Sequence, residues 1–204
     1  MKKLHLISLL LLTIITISSC KQNEKKASEP SKKGYTVDSG KTTINWIAYK
    51  TTSKTPVKGQ FTKVTIEQEK KATTVLSALN GLKFSIPVNS LFTKDTIRDK
   101  KLKKFFFGTM KNTLEITGVI TTTNENSGTV SLTMNEITQV LPIRYTINDQ
   151  TVTIEAVMNL DNWKTQLALK ALNAACKDLH SGDDGISMTW SEVKIEVTTN
   201  LKYQ

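Results

Sequence analysis

The stretch TVSLTMNEITQVLPIRYTINDQTVTIEAVM, residues 129–158, decides the fold class of this chain. At its start Val130, Leu132 and Met134 alternate with polar residues, and two further segments of the stretch repeat the alternation. A period of two places successive side chains on opposite faces of a β-strand. The turn-forming residues Asn148-Asp149-Gln150 separate the last two segments. The stretch therefore predicts three antiparallel strands, each with one apolar face and one face in water.

The alternation continues on both sides of this stretch. Further strands are predicted at residues 44–49, 61–67, 82–88, 114–122 and 186–197. About eight strands joined mostly by short links predict an all-β, antiparallel barrel or sandwich without a second domain. Two segments interrupt the pattern: residues 98–107 predict a short helix, and residues 162–180 predict a longer helix with a broad apolar face.

The N-terminal segment has the features of a targeting sequence. Two lysines precede an apolar run that is too short to span a membrane, and Ile17-Ser18-Ser19-Cys20 matches the bacterial lipobox pattern. We expect residues 1–19 to be a lipoprotein signal peptide, with an ordinary signal peptide as the alternative. Cys20 would then carry the lipid anchor, residues 20–34 would form a flexible tether, and residues 35–204 would form the domain. This predicts a membrane-anchored protein of the bacterial envelope that faces the periplasm or the cell surface.

The basic charge of the chain does not indicate a nucleic-acid partner. The net charge is +10, from 28 basic and 18 acidic residues, but Arg98 and Arg144 are the only arginines. Grooves that read bases or phosphates in a bidentate manner use more arginine. Residues 1–19 account for +2 and residues 20–34 for +3, which leaves about +5 for residues 35–204. The lysines of the tether are explained equally by attraction to anionic head groups and by solubility.

One cluster contains residue types that can bind a metal or act as a nucleophile. Cys176 and His180 are four residues apart in the predicted longer helix, and Asp178, Asp183 and Asp184 lie near them. This spacing is compatible with a metal site or a Cys–His pair, although no third residue is indicated to orient the histidine. A small buried cysteine and a histidine near a helix end explain the same pattern. We favour this structural interpretation and expect no metal, cofactor or catalytic residue.

Several other residues have two interpretations. Arg98-Asp99 could bind an anionic head group or form a salt bridge that fixes a loop to the barrel. Phe105-Phe106-Phe107 could close the barrel end or line the mouth of a ligand site. Trp46, Trp163 and Trp190 are typical core residues that could also form a cavity wall.

An ordered set of motifs resembles the YceI-like family of bacterial periplasmic lipid-binding proteins, in its lipoprotein branch. The resemblance covers about residues 35–202 and has these parts: Tyr35-Thr36-Val37-Asp38; Val57-Lys58-Gly59-Gln60-Phe61; Ile86-Pro87-Val88-Asn89-Ser90-Leu91-Phe92-Thr93; Arg98-Asp99-Lys100-Lys101-Leu102 with Phe105-Phe106; Leu141-Pro142-Ile143; and Ser187-Met188-Thr189-Trp190-Ser191-Glu192-Val193. Many members have a histidine where this chain has Lys101, so no role of that histidine is transferred here.

The resemblance implies a lipocalin-like barrel of about eight strands whose interior holds a polyprenyl or quinone-type chain. By alternation, with Phe105 and Phe106 added at the mouth, the candidate lining residues are Trp46, Phe61, Phe84, Ile86, Phe105, Phe106, Leu132, Met134, Ile143, Tyr145, Met158 and Trp190. The candidate head-group residues are Arg98 and Arg144.

Three functions remain open at this point. The leading hypothesis is a lipid-anchored, non-catalytic protein that binds an isoprenoid-like lipid. The first alternative is a stress-related or structural envelope protein whose barrel is filled by side chains and holds no ligand. The second is an enzyme that uses Cys176 and His180. The oligomeric state is open, with a homodimer among the alternatives.

Overall fold

The computed structural model describes residues 33–67 and 71–204. Its strands are β1 (Tyr35–Lys50), β2 (Thr55–Phe61), β3 (Thr65–Ile66), β4 (Lys83–Pro87), β5 (Leu91–Phe92), β6 (Glu115–Thr122), β7 (Ser127–Met134), β8 (Ile137–Asn148), β9 (Thr151–Asn159) and β10 (Thr189–Tyr203). Its α-helices are α1 (Val75–Leu79), α2 (Thr96–Lys101), α3 (Gln166–Ala175) and α4 (Lys177–His180). The predicted signal peptide, Cys20 and residues 20–32 of the predicted tether lie outside the described residues.

The strands form one antiparallel sheet in the order β3-β4-β6-β7-β8-β9-β10-β1-β2-β5. The prediction of an all-β antiparallel fold is confirmed. The expected number of about eight strands is too low. The described residues form ten strands, because two short strands of two residues each, β3 and β5, lie at the edges of the sheet. The strand ladder ends at these two edges, so the structure is a curled half-barrel, and the lipocalin-like part of the prediction is not confirmed.

Two short connections bring the edges of the sheet together. β2 lies near one edge, and after only three residues the chain forms β3 at the opposite edge. Three residues span at most about 10 Å. The second connection, residues 88–90, joins β4 near one edge to β5 at the other, and its Ser90 carbonyl accepts a hydrogen bond of 2.9 Å from the Thr62 amide of the first connection. Tyr35, the first residue of β1, exchanges two backbone hydrogen bonds of 2.7 and 3.0 Å with Ala72. The sheet therefore curls around an interior.

The hairpins within residues 129–158 form as predicted. β7, β8 and β9 are consecutive antiparallel neighbours in the sheet. Asn135 and Glu136 join β7 to β8 with φ of 53° and 58°. Two consecutive positive φ angles are typical of the type I′ turn, whose twist matches that of the strands.

The predicted strand at 61–67 is wrong in position. The strand instead ends at Phe61, and only Thr65 and Ile66 return to strand geometry. The bond from Thr62 to Ser90 explains the difference, because it turns the chain from one sheet edge to the other. The last strand also differs from its predicted range of 186–197, since it runs from Thr189 to Tyr203.

The predicted longer helix at 162–180 is divided in the structure. A 3₁₀ turn at Leu160–Trp163 ends where Lys164 adopts φ of 52°, and α3 and α4 follow with a break at Cys176. The Asn135 amide group donates to the Trp163 carbonyl at 2.8 Å and so stabilises the first break.

The predicted short helix at 98–107 consists of three consecutive helical segments of different types. α2 begins two residues earlier, because Asp95 caps it by accepting from the amides of Ile97 and Arg98 at 3.0 Å each. A π-helical segment, Leu102–Phe106, and a 3₁₀ turn, Phe107–Thr109, then follow. α1 was not predicted, and it is held by a capping box between Thr74 and Ser77.

Candidate functional site

The interior of the curled sheet contains an apolar cavity of about 220 Å³. Its wall extends from Leu79 in α1 to Leu172 in α3, so it reaches from one end of the sheet to the helices at the other end. The strand residues on this wall are those whose alternation points them inward. Among the described residues, and apart from two indole rings, the lining side chains with a polar atom are Thr42, Thr189 and Thr199. None of the described residues on the wall carries a charge.

Ten of the twelve predicted lining residues lie on the wall of this cavity. They are Trp46, Phe61, Phe84, Ile86, Phe106, Leu132, Met134, Ile143, Met158 and Trp190. Their role in holding a ligand stays a prediction.

Phe105 and Tyr145 do not lie on the cavity wall. Tyr145 is 3% exposed, but its hydroxyl bonds the carbonyls of Asn124 and Ser127 in the β6–β7 turn, the latter at 3.1 Å. Burial raises the pKa of the Tyr145 hydroxyl, which therefore stays protonated and can donate. Phe105 is half-buried, with the Lys104 ammonium 5.2 Å from its ring centre. Tyr145 thus stabilises the β6–β7 turn through its hydroxyl, and Phe105 packs against the hydrophobic core.

The helices supply lining residues that alternation along strands does not identify. Leu102 of the π-helical segment, Leu160 of the 3₁₀ turn, and Leu169 and Leu172 of α3 all contact the cavity. For Leu169 and Leu172 the available signal was the apolar face of the predicted longer helix. That face alone does not distinguish these two leucines from Leu167, which is 75% exposed.

The three tryptophans differ in their hydrogen bonding. Trp163 Nε1 donates to the Leu132 carbonyl at 3.0 Å, and Trp190 Nε1 donates to the Thr51 carbonyl at 2.7 Å. Trp46 Nε1 is buried and has no hydrogen-bond partner among the described residues. Buried polar groups with no partner are rare in folded proteins.

The Arg98-Asp99 pair is not the salt bridge considered from the sequence. Arg98 is exposed and pairs with Asp95 at 3.4 Å. Asp99 is buried and accepts from the Thr93 amide at 2.9 Å and the Thr93 hydroxyl at 2.6 Å. Asp99 therefore fixes the loop before α2 without Arg98, and Arg98 is absent from the cavity wall.

Arg144 lies on the outer face of the sheet. It borders a depression of about 1170 Å³ that also contains Lys58, Lys194, Glu155 and Glu196. Both signs of charge occur there, and Arg144 is directly opposite Glu155 in the pairing of β8 with β9. Arg144 does not line the interior cavity, so a head-group role would place the head group outside the curled sheet.

Cys176 and His180 are held by packing and by one polar network. Cys176 is buried, and His180 Nδ1 lies 2.7 Å from the Thr189 hydroxyl, which donates to Asn173 Oδ1 at 2.8 Å. Burial, together with the charges of Lys50 and Lys101, lowers the pKa of His180 to about 4. Within 33–67 and 71–204, no three His, Cys, Asp or Glu side chains are grouped closely enough to hold a metal ion. In the same residues, no helix is long and apolar enough to cross a membrane.

Together, the curled antiparallel sheet and the apolar wall of its interior define an all-β protein with an apolar internal cavity. The sequence model of the YceI-like domain matches residues 35–201. The chain therefore belongs to the YceI-like family. No curated protein shows significant sequence similarity to it.

Solved structures with the same fold come from several bacteria. A polyisoprenoid binding domain from Saccharophagus degradans, implicated in plant cell wall breakdown, aligns with a TM-score of 0.62 at 10% identity, covering 85% of this chain and 100% of that domain. BcnA of Burkholderia cenocepacia aligns with a TM-score of 0.53 at 18% identity, covering 81% and 99%. The Campylobacter jejuni YCEI protein gives 0.50 at 15% identity, covering 74% and 86%. At these identities the similarity establishes the fold.

Proposed function

We propose that this protein binds an isoprenoid-like lipid, with a polyprenyl or quinone-type chain, inside the curled sheet and without catalysis. The observation that carries the proposal is the cavity wall, which is apolar along its length and free of charged side chains among the described residues. Removing apolar surface from water contributes about 25 cal/mol per Å², so such a wall favours a hydrocarbon chain over a polar ligand. The Saccharophagus degradans domain with this fold is a polyisoprenoid binding domain, which supports the same ligand class.

A second candidate function is favoured by the size of the cavity. Its volume of about 220 Å³ is below the roughly 300–1,000 Å³ typical of small-molecule sites. A long chain would have to displace side chains or leave part of its length outside. The competing function is therefore a structural or stress-related envelope protein whose interior is filled by its own side chains.

Native mass spectrometry of the full chain separates the two candidates. The protein is purified after expression in a bacterial host, its mass is measured under native conditions, and a parallel sample is extracted with organic solvent. Lipid binding predicts an added mass that disappears on extraction, with an isoprenoid in the organic phase. If the chain shows no added mass, and also takes up no menaquinone-4 from vesicles, the filled interior is the better explanation.

We also propose that Cys20 is lipidated and holds the protein at a membrane of the bacterial envelope. The lipobox pattern at Ile17-Ser18-Ser19-Cys20 supports this proposal. Intact mass measurement of the protein from a bacterial host tests it. Wild-type protein should begin at Cys20 and carry acyl chains, whereas Cys20→Ala should keep residues 1–19 and lack them. A different mature N-terminus in the wild type would contradict the proposal.

A further inference from the structure

We propose that Trp46 recognises an uncharged oxygen atom of the ligand by donating a hydrogen bond from Nε1. This inference rests on the proposed binding of an isoprenoid-like lipid and narrows its chemistry. The ligand would be an oxygenated isoprenoid that carries a carbonyl, ether or hydroxyl oxygen. A pure hydrocarbon lacks the acceptor, and a phosphate carries a charge.

The hydrogen bonding of Trp46 is the first argument. Its side chain is only 7% exposed, lies on the cavity wall, and leaves Nε1 without a partner in the described part of the chain. A buried donor that loses its water and gains no acceptor destabilises the folded protein. Trp163 and Trp190 both bond to backbone carbonyls, so the fold satisfies the other two indole groups. An acceptor brought by a ligand would satisfy the third.

The position of the ring is the second argument. Trp46 on β1 is directly opposite Gly59 on β2. A Cβ atom on Gly59 would lie 2.1 Å from Cζ2 and 2.6 Å from Cε2 of the indole. The ring therefore rests on the glycine backbone, and Cε2, the atom bonded to Nε1, is fixed there. A donor held in one place can select a ligand by the position of its acceptor.

The charge of the wall is the third argument. The cavity is lined by no Lys, Arg or His side chain among the described residues, and one N–H group does not compensate a buried anion. A phosphate head group would have to remain outside. A neutral oxygen needs only one donor, which is what Trp46 offers.

Two matched ligands test the proposal on the full chain. The first is geranylgeranyl methyl ether, and the second is the hydrocarbon in which a CH₂ group replaces its oxygen. Their dissociation constants are compared by equilibrium partition from vesicles. We expect the ether to bind the wild type about 3- to 10-fold more tightly than the hydrocarbon, which corresponds to one neutral hydrogen bond. In Trp46→Phe the ratio should fall to about one, because phenylalanine keeps an aromatic ring but has no N–H.

Trp190→Phe is the matched control, since this residue also lines the cavity but donates to Thr51. It should weaken both ligands alike and keep the ratio between them. If the wild type binds both ligands equally, the role of Trp46 is contradicted while lipid binding stands. If it binds neither, the proposed function itself fails.

A second measurement does not depend on the folding of a variant. The three tryptophans of the wild-type chain give three indole N–H resonances in a ¹⁵N-labelled sample. The ether should shift one resonance downfield, and the hydrocarbon should not produce that shift. Selective loss of the same resonance in Trp46→Phe assigns it. A shift of equal size with both ligands would contradict the hydrogen bond.

Discussion

Trp46 and Gly59 are cross-strand neighbours in which the indole ring occupies the space that a side chain on the opposite residue would need. A glycine is therefore required at position 59 because the ring lies so close to its backbone. The backbone conformation of Gly59 does not itself require glycine. This contact connects β2 to the cavity wall and makes one glycine part of the candidate site.

Gly59→Ala should displace the Trp46 ring. The added methyl would lie 2.1 Å from Cζ2, which is far inside van der Waals contact. Overpacking of this kind costs roughly 1–3 kcal/mol of the free energy of unfolding, which urea denaturation measures. Gly40→Ala is the control, because its nearest neighbour would be an Asp38 carboxylate oxygen at 3.3 Å and the cost should be small. Equal stability of the two variants would show that the ring moves freely.

Ile86→Trp distinguishes a lipid cavity from a filled interior. Ile86 is buried on β4 and lies on the cavity wall. If the cavity takes lipid, the larger ring should occupy that space, and the folded variant should lose most of its lipid uptake from vesicles. If the interior is filled, the same change should destabilise the protein by roughly 1–3 kcal/mol with no ligand to lose. Lys83→Trp, an exposed position on the same strand, should change neither quantity. Unchanged uptake by well-folded Ile86→Trp would remove this strand from the site.

Tyr145→Phe should lower stability without changing lipid uptake. The substitution removes the hydroxyl that bonds the Asn124 and Ser127 carbonyls but keeps the buried ring. Leaving those acceptors without a donor costs about 1–3 kcal/mol. Thermal and urea denaturation measure the loss, and equilibrium partition measures uptake. A large loss of uptake at full stability would instead return Tyr145 to the cavity wall.

His180 should make stability depend on pH between about 6.5 and 4. Burial, with the charges of Lys50 and Lys101, lowers its pKa from 6.5 to about 4 in the folded protein. Below pH 6.5 the unfolded chain therefore binds a proton that the folded chain does not, so stability falls as the pH falls toward 4. Because the histidine is only partly buried, we expect a loss of about 1–2 kcal/mol.

The His180→Gln variant isolates this contribution. Glutamine does not titrate, and its amide can still bond the Thr189 hydroxyl. The carboxyl groups titrate in both proteins, so the difference between the two stability curves reports the histidine. The wild-type curve should drop more steeply between pH 6.5 and 4. Parallel curves would contradict the lowered pKa.

The fold was predictable where the determining contacts are local. The alternation in residues 129–158 gives three strands that pair with their neighbours in sequence, and the turn at Asn135-Glu136 sets their register. The errors arise where distant residues act. Thr62 bonds a carbonyl 28 residues away, which moved the predicted strand, and Asn135 bonds the carbonyl of Trp163, which divided the predicted helix.

The site was predictable in its apolar character more than in its details. Alternation tells which strand residues point inward, and most of these reach the cavity. It does not tell how far along the interior a residue lies, so Tyr145 was grouped with the wall although it bonds a turn at one end. The unpartnered Trp46 Nε1 had no signal in the sequence, because hydrogen bonding depends on all neighbours of the folded ring.

The short edge strands have a consequence for how copies of the protein can meet. A long sheet edge with free backbone N–H and C=O groups can pair with a strand of another molecule. Here the two edge strands have two residues each, and the part of β2 beyond β5 carries Pro56, which has no N–H group, and the charged Lys58. Both are residues that discourage edge-to-edge aggregation. Any self-association of this domain is therefore expected through side-chain surfaces and not by polymerisation of its sheet.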